Sequence, residues 1–268
     1  MPLIYSYMGI CQGLFLLLSW RPAPPHIWVR ILSLMPRMQC SAFLFDMDGV
    51  LVDSTPAVAR VWSRWGTLHG FDPEWATKLA HGRPSLATIQ ELLPNASPEV
   101  HQRENDWMER EEIADVADVV ALPGSVELLS ALAPNQFAVV TSATRQLAEV
   151  RLGAGGVLRF ARNLITSGDI QHGKPDPEPY LKGADLLKLP ANECIVIEDA
   201  PSGVRSGKAA GARVIALRTT TSDDELLAAG ADWIVNDCAS LRHLSTPSNG
   251  KLEFELNTFE TPRAPKMS

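Results

Sequence analysis

Ala42-Phe-Leu-Phe-Asp46-Met-Asp48-Gly49-Val-Leu-Val-Asp53-Ser54 decides how the rest of the chain is read. Four apolar residues, Ala42 to Phe45, run without alternation into Asp46, the pattern of a strand covered on both faces in a parallel sheet. Asp46 and Asp48 stand one residue apart at that strand's carboxyl end, where open α/β sheets hold their ligands, and Gly49 lets the chain turn away. Two carboxylates this close need a cation. An Asp-x-Asp-Gly also occurs in polar turns and calcium loops. A helix-loop-helix calcium site, however, needs further oxygen ligands and a closing Glu, and Val50 to Val52 supply no oxygen-bearing side chain.

Downstream, Ser54-Thr55-Pro56 reads as a helix start, a capping hydroxyl with Pro in the first turn. Val58, Val61, Trp62 and Trp65 recur at helical spacing, and further helices are expected over 74–80, 85–93 and 98–118. No strand pattern interrupts them, so 54–122 is expected to be an inserted all-helical subdomain. Its acidic stretch, 104–112, reads as a solvated face. Trp62 and Trp65 read as packing inside the insert in preference to a sugar platform. Strand and helix signals alternate again from Leu122-Pro123-Gly124. A helix is expected over 125–132, with strands at 137–141, 164–166, 194–197, 214–217 and 233–235. Repeated β-α units imply an α/β fold, a doubly wound, Rossmann-like parallel sheet with right-handed crossovers, built from 38–53 and 123–241. The segment 242–268, rich in Pro, Ser, Thr and Asn, is expected to be irregular.

The 268 residues are 46% hydrophobic with a formal net charge of −7. That balance describes a soluble globular protein and disfavours nucleic acid as a partner, which requires clustered Lys and Arg against phosphates. Cys11, Cys40, Cys194 and Cys238 are scattered without a Cys-x-x-Cys pair, so neither a zinc site nor a disulfide framework is indicated, and a reducing cytoplasm fits best. In residues 1–37 the apolar run Ile10 to Trp20 is too short to span a membrane and lacks the preceding basic residue of a secretory signal. Arg21-Pro-Ala-Pro-Pro25 then breaks any helix. The preferred reading is a dispensable or mis-assigned leader with Met38 as the functional start; an uncleaved anchor or signal is the alternative. No stable membrane association is expected. Without coiled-coil heptads or a long exposed apolar run, the expected state is a monomer.

Three more stretches carry chemistry. Phe137-Ala-Val-Val-Thr141-Ser142 is a buried strand ending in hydroxyls, where Thr141 and the Ser142 amide could hold phosphoryl oxygens without adding charge; a plain helix cap is the alternative. In Gly173-Lys174-Pro175-Asp176-Pro177-Glu178-Pro179, alternating prolines stiffen a loop, so that Lys174 is either a fixed cation beside a carboxylate and a phosphate or an exposed side chain in a turn. Cys194-Ile-Val-Ile-Glu198-Asp199-Ala-Pro-Ser202-Gly203 repeats the opening pattern. Its acids are either ligands for a hard cation such as Mg²⁺ or helix-capping groups. Arg145 reads as a partner for a nearby acid, and His81 as either a substrate contact or a histidine bonded locally at a helix end.

The segment from Asp46 to Ser54 resembles the first motif of the haloacid dehalogenase superfamily of phosphohydrolases. Asp46 with Asp48, then Thr141, Lys174 and Glu198 with Asp199, follow the order of that superfamily's four motifs, and the resemblance runs from about Ala42 to Asp237. Val140-Thr-Ser-Ala-Thr-Arg145, Gly173 to Gly183, Glu198 to Gly203 and His81-Gly82-Arg83 are similar to stretches in the glycerol-phosphate and 2-deoxyglucose-6-phosphate phosphatases, whose cap falls where the helical insert does. The resemblance implies a Mg²⁺-dependent phosphomonoesterase for a small sugar or polyol phosphate. Asp46 would be the nucleophile, forming an aspartyl phosphate, and Asp48 the acid and base. Asp46, Asp199 and the Asp48 carbonyl would hold the metal, with Glu198 acting through water or as a further ligand. Lys174, Thr141 and the Ser142 amide would orient the phosphoryl group. Cap closure through 53–55 and 122–124 would bring Arg83 and His81 over the substrate. A sugar phosphomutase is the alternative, yet related mutases resemble one another in a His four residues after the motif's Ser or Thr, where this chain has Val58. A dehalogenase would lack Asp48, and a non-catalytic phosphate sensor would not need the whole set.

Overall fold

The computed structural model describes residues 37–80, 83–245 and 250–257. Strand β1 (Arg37–Cys40) leads into β2 (Ala42–Phe45), whose residues are all buried. After the turn that carries Asp46 and Asp48, β3 (Val52–Asp53) enters the insert: α1 (Thr55–His69), α2 (Pro73–Ala80), α3 (Ser85–Leu92) and α4 (Pro98–Ala114). Strand β4 (Val120–Ala121) returns antiparallel to β3. Next come α5 (Ser125–Ala131), β5 (Phe137–Val140), α6 (Arg145–Ala154), β6 (Leu164–Ile165), α7 (Glu178–Leu186) and β7 (Cys194–Glu198). The last elements are α8 (Pro201–Ala209), β8 (Arg213–Leu217), α9 (Asp223–Ala228), β9 (Trp233–Val235), β10 (Leu241–Ser245) and β11 (Leu252–Leu256).

Among the described residues the central sheet has six strands, all parallel, in the order β6-β5-β2-β7-β8-β9. The chain builds outward from β2 on one side and then on the other. The strand order therefore reverses at β2, and the crevice for a ligand opens above its carboxyl end. The uninterrupted apolar runs are explained by two cores. Phe43 and Phe45 join Val139, Ile195 and Ile197 on one face, while Ala42 and Leu44 join Ala138, Val140 and Val196 on the other. Period-2 alternation survives, but both faces are covered, so both must be apolar. Each Phe of β2 contributes about 1.5–3 kcal/mol by its burial. The helical insert has its own core around Val61, Trp62, Trp65, Ile89 and Met108, with Trp65 stacked on Phe71 and His69.

Three expectations need correction. The last insert helix stops at Ala114, and a strand at 120–121, too short to leave a hydrophobic period, closes the insert against β3. The described part of the tail is not irregular: β10 and β11 form an antiparallel pair that continues onto β1. Leu252, Phe254 and Leu256 are buried in the first core and alternate with Glu253 and Glu255. That five-residue period lies among Pro, Ser and Thr, which hid it; Glu255 is held 3.2 Å from Arg37. Finally, the Ser54 hydroxyl does not cap α1; its partner belongs to the site described next. Of the leader assigned to 1–37, only Arg37 falls within the described residues, in β1. Among the described residues no helix is long and apolar enough to cross a membrane.

Candidate active site

Strand ends deliver the site: Asp46 follows β2, Thr141 follows β5, and Glu198 and Asp199 stand at the end of β7. The Asp46 amide extends the sheet ladder by donating to the Ile197 carbonyl at 2.9 Å, which fixes the backbone under its carboxylate. Asp46 Oδ1 accepts from Lys174 Nζ at 2.5 Å. The same ammonium donates to Glu198 Oε1 at 2.7 Å and to the Val140 carbonyl at 3.1 Å. Those three bonds use all the hydrogens a lysine has, so Lys174 is held in one place. Glu198 is held as firmly. Its Oε1 also accepts from the Tyr180 hydroxyl at 2.8 Å, and its Oε2 from the amides of Asp199 and Ala200 at 2.9 and 3.1 Å.

Two glycines make room for these acids. A Cβ on Gly203 would stand 1.6 Å from Glu198 Oε1, and one on Gly49 only 2.0 Å from Asp199 Oδ2. Gly49 also has φ +77°, which L side chains rarely adopt. Asp199 Oδ2 accepts from the Thr220 hydroxyl.

Asp46, Glu198 and Asp199 are buried with a single ammonium among them. Burial pushes the Asp46 carboxyl up to about 7, Lys174 opposing and Glu198 reinforcing the shift. Asp199 is driven well above the usual carboxylate range, first by burial and then by Glu198 and Asp46. Burial disfavours the Lys174 charge as well, but Asp46 and Glu198 outweigh it and hold the ammonium above its ordinary value. The pocket is short of positive charge. One oxygen from each acid lies within 4.8 Å of the others, a donor set of the hard-oxygen kind that suits Mg²⁺.

Asp48 sits beside this group in a different setting. Its Oδ1 accepts from the Ser54 hydroxyl at 2.5 Å, and its Oδ2 from Arg151 Nη1 at 3.0 Å. Thr141 is buried at the end of β5, its hydroxyl accepting from the Ala143 amide at 3.1 Å. The cap of α6 is Thr144, not Thr141. These groups open onto a cleft of about 430 Å³ whose far side comes from the insert, including Val58, Trp62, Arg83, Asn105, Glu109 and Glu112.

Residues 40–211 match the family model for haloacid dehalogenase-like hydrolases. Hexitol phosphatase A of Escherichia coli (strain K12) is 40% identical over 191 residues, 70% of this chain and 88% of that protein. Glycerol-1-phosphate phosphohydrolase 2 of Saccharomyces cerevisiae (strain ATCC 204508 / S288c) is 36% identical over 217 residues, 76% of this chain and 85% of that one. The chain belongs to the haloacid dehalogenase-like hydrolase family. A crystal structure of a hydrolase from Pseudomonas syringae shares the fold, with a TM-score of 0.67 and 26% identity over 75% of this chain and 94% of that one.

Of the residues singled out in the sequence, Asp46, Asp48, Thr141, Ser142, Lys174, Glu198 and Asp199 all line this one haloacid dehalogenase-type cleft. Arg83 reaches its insert side but is paired with Glu91 at 2.5 Å. His81 lies outside the described residues. Arg145 pairs with Asp169 at 3.1 Å, an acid partner as expected. Trp65 is wholly buried, and Trp62 is packed while also lining the cleft.

The acidic stretch of α4 needs correction. Glu109 accepts from the Thr144 hydroxyl at 2.5 Å, and Glu112 is buried 3.2 Å from Arg151. Burial raises the Glu112 carboxyl, with Arg151 opposing. Averaging the charges over the stretch concealed that Asn105, Glu109 and Glu112 share one helix face. Arg151, Tyr180 and Thr220 were missed. Only Arg151 left a signal, a lone cation among the buried Leu147, Ala148 and Leu152 of α6.

Proposed function

We propose that the protein is a Mg²⁺-dependent phosphomonoesterase that hydrolyses a small sugar or polyol phosphate through an aspartyl phosphate on Asp46. One observation carries this reading. A buried carboxylate at the end of the central strand is held 2.5 Å from a lysine in a cleft that also contains a second, separately oriented aspartate. In the first half-reaction Asp46 attacks phosphorus in line, the ester oxygen departs, and Asp48 supplies the proton it takes up. In the second, Asp48 accepts a proton from water as that oxygen attacks the aspartyl phosphate, releasing inorganic phosphate and restoring Asp46. Lys174, Thr141 and the Ser142 amide hold the phosphoryl oxygens between the two steps.

Asp46 and Asp199 would hold the Mg²⁺, with the Asp48 carbonyl that the family resemblance implies. Bound there, the ion would neutralise charge on the nucleophile and the phosphoryl group. Both Glu198 oxygens already accept two hydrogen bonds each, which favours its contact with the ion through water.

The insert side of the cleft supports a neutral, hydroxylated leaving group. Glu109, Glu112 and Asn105 line it, and the cations in the lining, Arg83, Arg151 and Lys174, are each paired with a carboxylate. A second phosphate or a carboxylate on the substrate would meet acids there, whereas hydroxyls would find acceptors. Val58 lines the cleft where a mutase would carry its histidine, which supports water as the acceptor. The test is phosphate release from a panel of sugar and polyol phosphates with Mg²⁺ and with EDTA. Release that Mg²⁺ restores after chelation supports the proposal. An isomerised ester without free phosphate, or activity that survives EDTA, contradicts it.

A further inference from the structure

From the geometry of one buried guanidinium we infer that Arg151 is a positioning residue that ties the orientation of Asp48 to the seating of the helical insert. Arg151 belongs to core helix α6 and its side chain is only 6% exposed. It stands between two carboxylates on separate parts of the protein. Nη1 donates to Asp48 Oδ2 at 3.0 Å, and Nη2 lies 3.2 Å from Oε2 of Glu112 on insert helix α4. The contact is part of a seam. Thr144 and Arg151, seven residues apart on α6, face Glu109 and Glu112 on α4, where the Thr144 hydroxyl donates to Glu109 at 2.5 Å. Both spacings bring side chains to one helix face, so the two helices meet along a polar edge.

Among the described residues, Arg151 Nε and Nη2 are buried without a hydrogen-bond partner, Nη2 having only its ion pair with Glu112, which leaves donors for a second arrangement. When α4 shifts relative to α6, Glu112 moves with the insert and Asp48 remains with the core. The guanidinium between them must then redistribute its bonds. The Ser54 hydroxyl, one residue before α1, holds the other Asp48 oxygen at 2.5 Å. Asp48 is thus restrained from both ends of the insert, by its entry at Ser54 and by its last helix through Arg151. Cap position and proton carrier become one mechanical unit, as expected where closure completes a catalytic constellation.

The inference rests on the proposed role of Asp48 as proton carrier, and steady-state kinetics on a polyol phosphate with Mg²⁺ tests both separately. Arg151→Met should lower kcat about 10- to 100-fold with KM within about twofold, because proton transfer suffers more than binding. Arg151→Lys, which keeps the charge, should recover most of that loss. Glu112→Gln should lower kcat about 3- to 10-fold, and the Arg151→Met/Glu112→Gln double variant should be no slower than Arg151→Met alone, since the two act through one chain of contacts. Unchanged kcat in Arg151→Met, a KM-only effect, or losses that multiply in the double variant would overturn the inference while the phosphatase reading stands. Should Arg151→Met fail to fold, Glu112→Gln decides: wild-type kcat in that variant overturns it. A wild-type chain that releases no phosphate from any ester removes the underlying reading and this inference with it.

Discussion

On the core side of the cleft, Lys174 commits its hydrogens to Asp46, Glu198 and the Val140 carbonyl and is 7% exposed; on the insert side, Arg83 pairs with Glu91 and is 36% exposed. The contrast extends to neighbouring residues. Glu198 accepts four hydrogen bonds in the core, whereas Asn105 on the insert accepts one from Ser85 at 2.6 Å. A wall that must place a nucleophile against phosphorus needs each group over-determined, because small displacements cost large factors in rate. A wall that recognises the rest of an ester can use fewer and looser contacts, each of modest value. On the proposed reading the core does the chemistry and the insert selects, apart from Glu112, which acts on the core through Arg151, so most substitutions on the two sides should differ in kind.

The largest effect should come from the core. Asp46→Asn is expected to lower turnover at least about 10⁴-fold with the fold intact by circular dichroism, as loss of a nucleophile does; near-normal steady-state turnover would break the comparison. Lys174→Met should lower stability by about 3–5 kcal/mol in urea unfolding as well as slowing turnover, because two buried carboxylates lose their counter-charge. If stability held while activity fell, the core wall would be less interdependent than its hydrogen bonds suggest.

On the insert, Glu109→Ala should raise KM for a polyol phosphate about 10-fold and leave a small aryl phosphate nearly unaffected, a change of one hydrogen-bonding partner. Equal damage to both substrates would mean that the insert wall serves the phosphoryl group. The smallest effect concerns Glu178, the first residue of α7, just after the loop that presents Lys174. Its carboxyl is drawn down to about 2 by the Gln171 amide, then Lys182, then the His172 amide. A folded value below the ordinary value of about 4.3 stabilises the fold above that value, and the contribution fades as pH falls toward 2. Glu178→Gln should therefore lower Tm slightly at pH 7 and flatten its fall between pH 5 and 2, the variant and the wild type converging near pH 2.

The core half of this account was legible in the sequence for a physical reason. Strands β2, β5 and β7 are buried on both faces, so their composition is forced, and the residues that follow them must lie at one sheet edge whatever happens between. Asp46, Thr141 and Asp199 could be located that way. The insert side was not legible, because helix-to-helix approach decides which acids of α4 face the core, and charge averaged along a helix carries no direction. Arg151 illustrates the limit. Its burial among Leu147, Ala148 and Leu152 follows from periodicity, but its partners Asp48 and Glu112 come from segments about a hundred and about forty residues away. The strand at 252–256 failed for the opposite reason, a clear but short alternation set in polar surroundings, and 241–245, Leu-Arg-His-Leu-Ser, carries no period at all.

The central claim is that Asp46 carries the phosphoryl group during turnover. Rapid acid quench of the enzyme turning over a polyol phosphate with Mg²⁺, followed by peptide mass spectrometry, should find phosphate on the peptide containing Asp46 and none on the Asp46→Asn protein. Active enzyme whose quenched peptides carry the label elsewhere, or carry none at any time through a turnover while Asp48→Asn also fails to accumulate it, would contradict the account.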